Sequence, residues 1–512
     1  MLNEGRVKFH TNLGFLVVLF LSIAGLVGCS SINQSGNSAS TGTVNTTLSD
    51  PPTCTGTFSS VFVTVTKVEA NLSSSAGPND NGWQTLVDLT SSPVQVDLMK
   101  LNPTATPGFC GTLFTLGQKV LPAGKYQQIR LILLSNSPAS GTATPSNNAC
   151  GAAGFNCVVP NGSSTPAELQ LSSQDQTGIK IPSSQITSGG LTVMANQSVD
   201  LNIDIDSCAS IVREGNGQYR FKPVLHAGEV TLNTNTISGS VVEASNGPNP
   251  GSPVPNAIVL LEQPDPNNSA IDRVVMSGLT QQDGTFAFCP LMSSNTNFDV
   301  VVSGQTTQQG ALTTTTTYNP TVVFNVPVGG ATGNIPLYAE TTSTSGTGLT
   351  STLPGTISGQ IASSAAGNTP VAGDVELSAL QSVTNGSNTI SITVPVFQAA
   401  SQPPNFTTNT TTSSGGGCAT STADCIGYSL LLPASSPAIG TFSSSSAISF
   451  TAPSSTTQAT YTVNALADGS NELLTCSPAS VTSNSVNVTP GSTVNAASEP
   501  TLNFSLTGCS AP

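Results

Sequence analysis

From Val61 to Val68 the chain reads Val-Phe-Val-Thr-Val-Thr-Lys-Val, an alternation of apolar and polar residues that holds until Lys67 and Val68 break it. Neighbouring side chains of an extended backbone point to opposite faces, so this period of two predicts a half-buried strand. Similar segments lie at 94–98, 126–134 and 199–205, and further short strands are predicted at 236–241, 253–260, 280–288, 356–361, 370–377, 428–433 and 460–465. Turn-forming residues separate them, among them Gly77-Pro78-Asn79-Asp80-Asn81-Gly82, Pro122-Ala123-Gly124 and Asp283-Gly284. Short strands between such turns predict an all-β chain of tandem antiparallel β-sandwich domains.

Composition narrows the class. Charged residues make up only 7% of the chain, against about 25% in an average soluble domain, while AVILMFWYC residues reach 37% before 48 glycines are counted. Ser, Thr, Asn and Gln take the place of the missing charge. This excludes a charge-expanded disordered chain and argues against long surface helices, which are rich in Glu, Lys and Arg. The 512 residues suffice for several cores at roughly 100 to 200 residues per domain. Twelve Lys and Arg face 26 Asp and Glu, a net charge of −14, and Arg273 is the last basic residue. Phosphate recognition rests on clustered bases, so nucleic acid is excluded as a partner.

At the N-terminus Arg6 and Lys8 precede an apolar run over 13–27 that Gly14, Ser22 and Gly25 interrupt. It suits a secretory signal better than a membrane span of about 20 apolar residues. The run ends Leu26-Val27-Gly28-Cys29, which resembles the bacterial lipobox. The resemblance implies lipidation of Cys29, which becomes the new N-terminus and holds the protein to a membrane. Ser30 stands where an Asp tends to retain Gram-negative lipoproteins at the inner membrane, which by the same resemblance implies sorting to the outer membrane. Residues 29–52, rich in Ser, Thr, Asn and Gly, read as a flexible tether. The expected organisation is a signal peptide at 1–28, this tether, a β domain at 53–232, a sandwich at 233–340, a linker at 341–353 and a second, divergent sandwich at 354–512.

The first β domain resembles the bacterial lipoprotein family known as domain of unknown function 4382. The residues that carry the resemblance are the strand from Val61 to Val68, Gly82-Trp83, Val96-Asp97-Leu98, Leu121-Pro122-Ala123-Gly124-Lys125-Tyr126 leading into Ile129-Arg130-Leu131, Leu201-Asn202-Ile203-Asp204-Ile205-Asp206, and Tyr219-Arg220-Phe221-Lys222-Pro223-Val224. The family has no assigned activity. The next segment resembles the carboxypeptidase regulatory-like, transthyretin-type domain through Ile237-Ser238-Gly239-Ser240-Val241, Pro253-Val254-Pro255-Asn256-Ala257-Ile258-Val259-Leu260 and Asp283-Gly284-Thr285-Phe286. In that family these are core and turn positions, and none is catalytic. Thr356-Ile357-Ser358-Gly359-Gln360-Ile361 and Pro370-Val371-Ala372-Gly373-Asp374-Val375 repeat part of the pattern.

Of 11 cysteines, ten follow Cys29, and an oxidising compartment makes disulfides the default. Cys150 with Cys157, and Cys418 with Cys425, are spaced to staple surface loops, and Cys476 with Cys509 to tie the last strands. Cys54, Cys110, Cys208 and Cys289 are left with three possible connectivities. Zinc is disfavoured, because no Cys-x-x-Cys occurs and His226 is the only histidine beyond the signal. The same scarcity of histidine, with no Gly-x-Ser-x-Gly elbow, argues against a nucleophilic hydrolase, and a strand position is the expected role of His226. Asp200, Asn202, Asp204 and Asp206 alternate with Leu201, Ile203 and Ile205 and so share one strand face. Stacked carboxylates are hard ligands for calcium, which makes Asp200, Asp204 and Asp206 the weak metal candidates. Alternation alone places polar residues outside, so a solvated face is the expectation, and no metal or cofactor is assigned.

These features point to a non-catalytic outer-membrane lipoprotein, a structural or binding module with an envelope protein or a neutral glycan as partner. One alternative is a carbohydrate-binding surface protein. It would draw on Tyr318, Phe324, Tyr338, Phe397, Phe406, Phe442 and Tyr461, aromatics that are expected mostly to fill cores, in a chain of only 5% FWY. Another is an envelope hydrolase working through a carboxylate pair. Trp83, the only tryptophan, is expected as a core or rim anchor.

Overall fold

The computed structural model describes residues 40–509 apart from 51–57, 102–112, 172–176, 183–185, 187–189, 206, 214–216, 223–224, 230–235, 266–267, 289–296, 309–313, 341–352, 368, 371–373, 398–404, 408–423 and 468–475. The signal segment, Cys29 and nearly all of the expected linker lie outside the described residues.

Two sheets enclose the N-terminal core. The first contains β1 (Thr41–Ser49), which is flanked by β3 (Phe114–Pro122) and β5 (Ser198–Ile205), with β6 (Leu225–Glu229) beyond β5. The second centres on the 14-residue strand β2 (Phe58–Asn71), which takes β4 (Gln128–Leu133), Gln84–Asp88, Val94–Asp97 and Cys157–Pro160 as antiparallel neighbours. Val44, Leu48, Val61, Val63, Val65, Ile129, Leu131, Leu201, Ile203 and Phe221 meet in one core between them. Trp83 anchors the rim: its Nε1 donates to the Gly77 carbonyl at 3.0 Å, and the Arg130 guanidinium lies 4.1 Å from its ring centroid.

β1 corrects the tether expected over 29–52. Its residues, Thr-Gly-Thr-Val-Asn-Thr-Thr-Leu-Ser, read as linker because only Val44 and Leu48 are large and apolar. The strand nevertheless pairs along both edges, parallel to β5 and antiparallel to β3, so backbone hydrogen bonds hold a segment that side-chain hydrophobicity alone would not reveal. β2 also departs from a half-buried strand. Thr64 and Thr66 are buried beside the valines. Thr64 is covered by the 155–156 backbone and side chains, with its N–H donating to Asn156 Oδ1 at 2.9 Å and its Oγ1 to the Phe155 carbonyl at 2.6 Å.

The C-terminal half contains β7 (Ile237–Glu243), β8 (Ile258–Asp265), β9 (Asn268–Leu279), β10 (Thr285–Phe288), β11 (Phe298–Ser303), β12 (Thr321–Val326) and β13 (Ala331–Leu337), followed by β14 (Gly355–Ala365), β15 (Asp374–Asn385), β16 (Asn388–Thr393), β17 (Asp424–Leu432), β18 (Ala438–Thr441), β19 (Ala459–Ala467) and β20 (Asn503–Cys509). β7, β10 and β13 form a small sheet. The Asp283-Gly284 motif is the tight turn leading into β10: Asp283 Oδ1 accepts from the Thr285 N–H and hydroxyl, and Gly284 has φ +77°.

The two expected sandwiches share one sheet. Its order runs β18-β12-β11-β8-β9-β16-β15-β19, so strands on both sides of the 341–353 segment belong to a single ladder. The joins are parallel, β12 with β18 over Thr321–Phe324 and β9 with β16 at Ile271 and Ser391. Successive residues of β8, β11 and β12 therefore enter different cores. Val259, Leu261, Val300, Val302 and Val323 pack towards β7 and β10. Leu260, Val301, Val322 and Phe324 join Ile357, Ile361, Val375, Tyr428 and Tyr461 in the second core. A layer buried on both faces lets period-two strands carry apolar residues at nearly every position. The all-β class is as expected, with parallel pairs mixed among the antiparallel ones.

Cys150 is bonded to Cys157 and Cys476 to Cys509, as expected. Cys425 is also disulfide-bonded. Cys54, Cys110, Cys289 and Cys418, and the side chain of Cys208, lie outside the described residues.

Candidate functional site: buried carboxylates in the sheets

The acidic row on β5 is placed by the parallel neighbour that composition concealed. Register sets Asn45 beside Asp200, Thr47 beside Asn202 and Ser49 beside Asp204. Asn45 Nδ2 donates to Asp200 Oδ1 at 2.6 Å, Thr47 Oγ1 to Asn202 Oδ1 at 3.0 Å and Ser49 Oγ to Asp204 Oδ1 at 2.5 Å, while Asn202 Nδ2 donates to Ser49 Oγ at 2.8 Å. The expected solvated face is thus corrected: Asn202 and Asp204 are buried, and each polar side chain has a partner because β1 supplies one at every second position. Asp206 lies outside the described residues, and no group of three metal-ligating side chains occurs among the described ones. His226 occupies a strand position in β6, opposite Asp204.

A second set of acids, not singled out from the sequence, lies in the shared sheet. Glu262 of β8 stands opposite Asp299 of β11, and Asp272 of β9 stands opposite Pro264, two residues along from Glu262. Glu262 and Asp272 have 0% exposure. Glu262 Oε2 accepts from the Thr393 N–H of β16 at 3.0 Å, the Thr393 hydroxyl donates to the Asp272 carbonyl at 2.8 Å, and Asp299 Oδ1 accepts from the Asn325 N–H at 2.7 Å. Glu262 Oε1 and both carboxyl oxygens of Asp272 have no donor from the protein.

Loss of solvent pushes all three carboxyls above the ordinary range, Asp272 to about 8 with further help from the adjacent Asp299. Two carboxylates cannot hydrogen-bond to each other. A proton on either Asp272 or Asp299 creates the missing donor. Arg273, the last base of the chain, reaches across the join: Nε donates to Asp265 Oδ2 at 2.9 Å, Nη1 to Ser378 Oγ at 3.0 Å and Nη2 to Asn464 Oδ1 at 2.7 Å.

Glu340, just beyond β13, makes a similar connection. Its Oε1 accepts from the Ala434 N–H and, at 3.0 Å, from the Ser435 hydroxyl, and burial raises its carboxyl to about 8. The sequence signal for these acids is their setting. Glu262 follows Ile-Val-Leu-Leu, Asp299 precedes Val-Val-Val, and Asp272 follows Ile271, positions where alternation leaves no solvent face for them.

The arrangement holds protons and hydrogen bonds. It has no place for a sugar, because the carboxyls of a glycosidase must flank the scissile bond, whereas Glu262 and Asp272 are sealed. The aromatics considered as a sugar platform are mostly internal. Tyr318, Phe324 and Tyr461 are fully buried, Phe397 is buried, Phe442 packs against the β7 core and Tyr338 is half-buried. The side chain of Phe406 lies outside the described residues.

Residues 41–223 match the family described as Domain of unknown function (DUF4382). The match begins at β1, within the segment that composition assigned to a tether. No curated protein matches the chain. Among solved structures, the minor pilin GBS52 of Streptococcus agalactiae aligns at 11% identity over 54% of this chain and 98% of its own, with a TM-score of 0.17. The Bacillus anthracis TIE protein aligns at 10% identity over 91% of this chain and 50% of its own, with a TM-score of 0.12. The shaft pilin SpaA of Lactobacillus rhamnosus GG aligns at 9% identity over 54% and 98%, with a TM-score of 0.15. TM-scores this small carry no argument about function.

Proposed function

We propose that the chain is a non-catalytic structural module of the bacterial cell envelope, exported, lipidated at Cys29 and held at the outer membrane. In this reading residues 233–340 and 354–512 are carboxypeptidase regulatory-like sandwiches fused through a common sheet. The observation that carries it is the internal engagement of the groups that would do chemistry. The acids of β5 are bonded to β1, Glu262 and Glu340 accept bonds from across the shared sheet, and Arg273 ties three strands. Such groups position a scaffold and present nothing to a substrate. The buried aromatics favour this structural reading over a sugar-binding one.

A single acyl chain gives only marginal membrane binding, so firm attachment requires more than one, as a lipidated N-terminal cysteine supplies. Wild type is expected in the outer-membrane fraction and labelled by a palmitate analogue, and Cys29→Ser is expected to be unprocessed, unlabelled and absent from the outer-membrane fraction. Wild type found unlabelled in the soluble periplasm would overturn the anchoring.

A further inference from the structure

Several loops of the N-terminal block meet at the end where β1 begins. The Ala123 N–H donates to the Ser40 carbonyl at 2.7 Å and the Asn196 N–H to the Thr41 carbonyl at 2.7 Å, so the turns at 122–124 and 194–197 flank the entering chain. Gly124–Tyr126 pairs with Leu191–Val193, which sets Val193 opposite Gly124 and Met194 beside the first turn. The close of β2 joins them: the Gln127 N–H donates to the Asn71 carbonyl at 2.8 Å, and a Cβ on Gly124 would lie 2.9 Å from Leu72 Cδ2. The loop that leaves β2 at Leu72 returns through Trp83, whose neighbour Gln84 stands opposite Ala70.

This end carries apolar surface. Four large apolar side chains are exposed among the described residues, and three of them lie here: Leu72 at 48%, Val120 at 58% and Met194 at 55%. Val120, opposite Thr43, stands two residues before the 122–124 turn, and Leu72 and Met194 border Gly124. In a chain that fills its surface with Ser, Thr and Asn, apolar side chains grouped in this way mark a contact with something other than water.

The entering chain indicates what they contact. Cys29 precedes Ser40 by eleven residues. At roughly 3.3–3.6 Å per residue that length spans at most about 40 Å, so a lipid on Cys29 keeps Ser40, and the end that contains it, close to the bilayer.

Given a lipidated Cys29, we propose that this end of the N-terminal block docks on the membrane surface, with Leu72, Val120 and Met194 entering the boundary between headgroups and acyl chains. Interfacial binding grows with the apolar area buried, and three side chains supply little of it. The anchor makes their contact with the bilayer intramolecular, and the high effective concentration compensates for the small patch. Docking fixes the orientation of the block on the membrane, which attachment through the lipid alone does not.

Trp83, the only tryptophan of the chain, belongs to the same end and reports the contact. The full lipidated chain is reconstituted in phosphatidylcholine vesicles with and without bromine on the acyl chains, which quenches an indole only at close range. Flotation with the vesicles reads the anchor, and quenching of Trp83 reads the docking. Wild type is expected to float and to be quenched by the brominated lipid. Leu72→Asp with Met194→Asp is expected to float equally and to lose the quenching. Both side chains are about half exposed, so an unchanged urea midpoint is expected, and Met194→Asp alone, with partial loss, serves if the double variant does not fold. Wild type that floats with Trp83 unquenched would overturn the docking and leave the anchor standing, and undiminished quenching in the double variant would overturn the part given to these side chains. Wild type that does not float would remove the anchor and the docking with it. Unquenched wild type that cross-links as dimers on the vesicles, where the variant does not, would give the patch to a second copy of the chain.

Discussion

Phe324→Ala is expected to destabilise the C-terminal half by about 3–5 kcal/mol, the cost of emptying a fully buried aromatic site. In an ordinary two-layer sandwich Val322 and Phe324, which share a face of β12 opposite Val323, would face solvent, and truncation there would cost less than about 0.5 kcal/mol. Here both faces are covered. Phe324 lies in the core shared with Ile357, Val375 and Tyr461, and Val323 lies in the core formed with β7 and β10. Val323→Ala is therefore also expected to be costly, by about 2 kcal/mol. Urea denaturation of the full chain, followed by circular dichroism, reads both changes. A shift for Val323→Ala with none for Phe324→Ala would mean that β12 has one free face.

Arg130→Ala is expected to cost the N-terminal block about 3–5 kcal/mol, because it strands a buried carboxylate. Arg130 Nη2 lies 2.5 Å from Glu69 Oε2 and its Nε 2.6 Å, with both side chains almost out of solvent. The variant would also lose the donation from Nη1 to the Pro78 carbonyl at 2.8 Å and the contact with Trp83. Lys67 remains 3.6 Å from Glu69 and compensates only in part. Lysine at position 130 has no planar fork to serve Glu69, Pro78 and Trp83 together, so Arg130→Lys is expected to rescue little. The sole tryptophan stands beside this pair, and its fluorescence reports unfolding of this block. An unchanged denaturation midpoint in Arg130→Ala would contradict the account.

The period of two in the 61–68 and 199–205 segments was enough to read the strands, and from them the all-β class, because a pleated strand writes its geometry directly into the order of residues. The pairs Cys150 with Cys157 and Cys476 with Cys509 were legible from spacing and compartment. β1 was not legible, since its stability comes from being paired on both edges, and its Thr, Asn and Ser residues have the composition of a linker. Without β1 the acids of β5 had no visible partners and read as solvated. The join between the sandwiches is a long-range pairing of Thr321–Phe324 with Ala438–Thr441, more than a hundred residues apart, and no local pattern encodes it. Its trace is the unbroken apolar run at 322–324 and at 300–302, with acids embedded where a solvent face should have been.

Residues 233–340 and 354–512 share one sheet and are expected to behave as one cooperative body. Hydrogen-exchange mass spectrometry of the full chain at neutral pH tests it most directly. Peptides covering β8, β11 and β12 and peptides covering β15, β17 and β19 are predicted to exchange with one common opening free energy, and Phe324→Ala is predicted to lower it in both sets together. Two distinct opening free energies, with Phe324→Ala lowering only that of the 233–340 peptides, would contradict it and return the two halves to independent sandwiches.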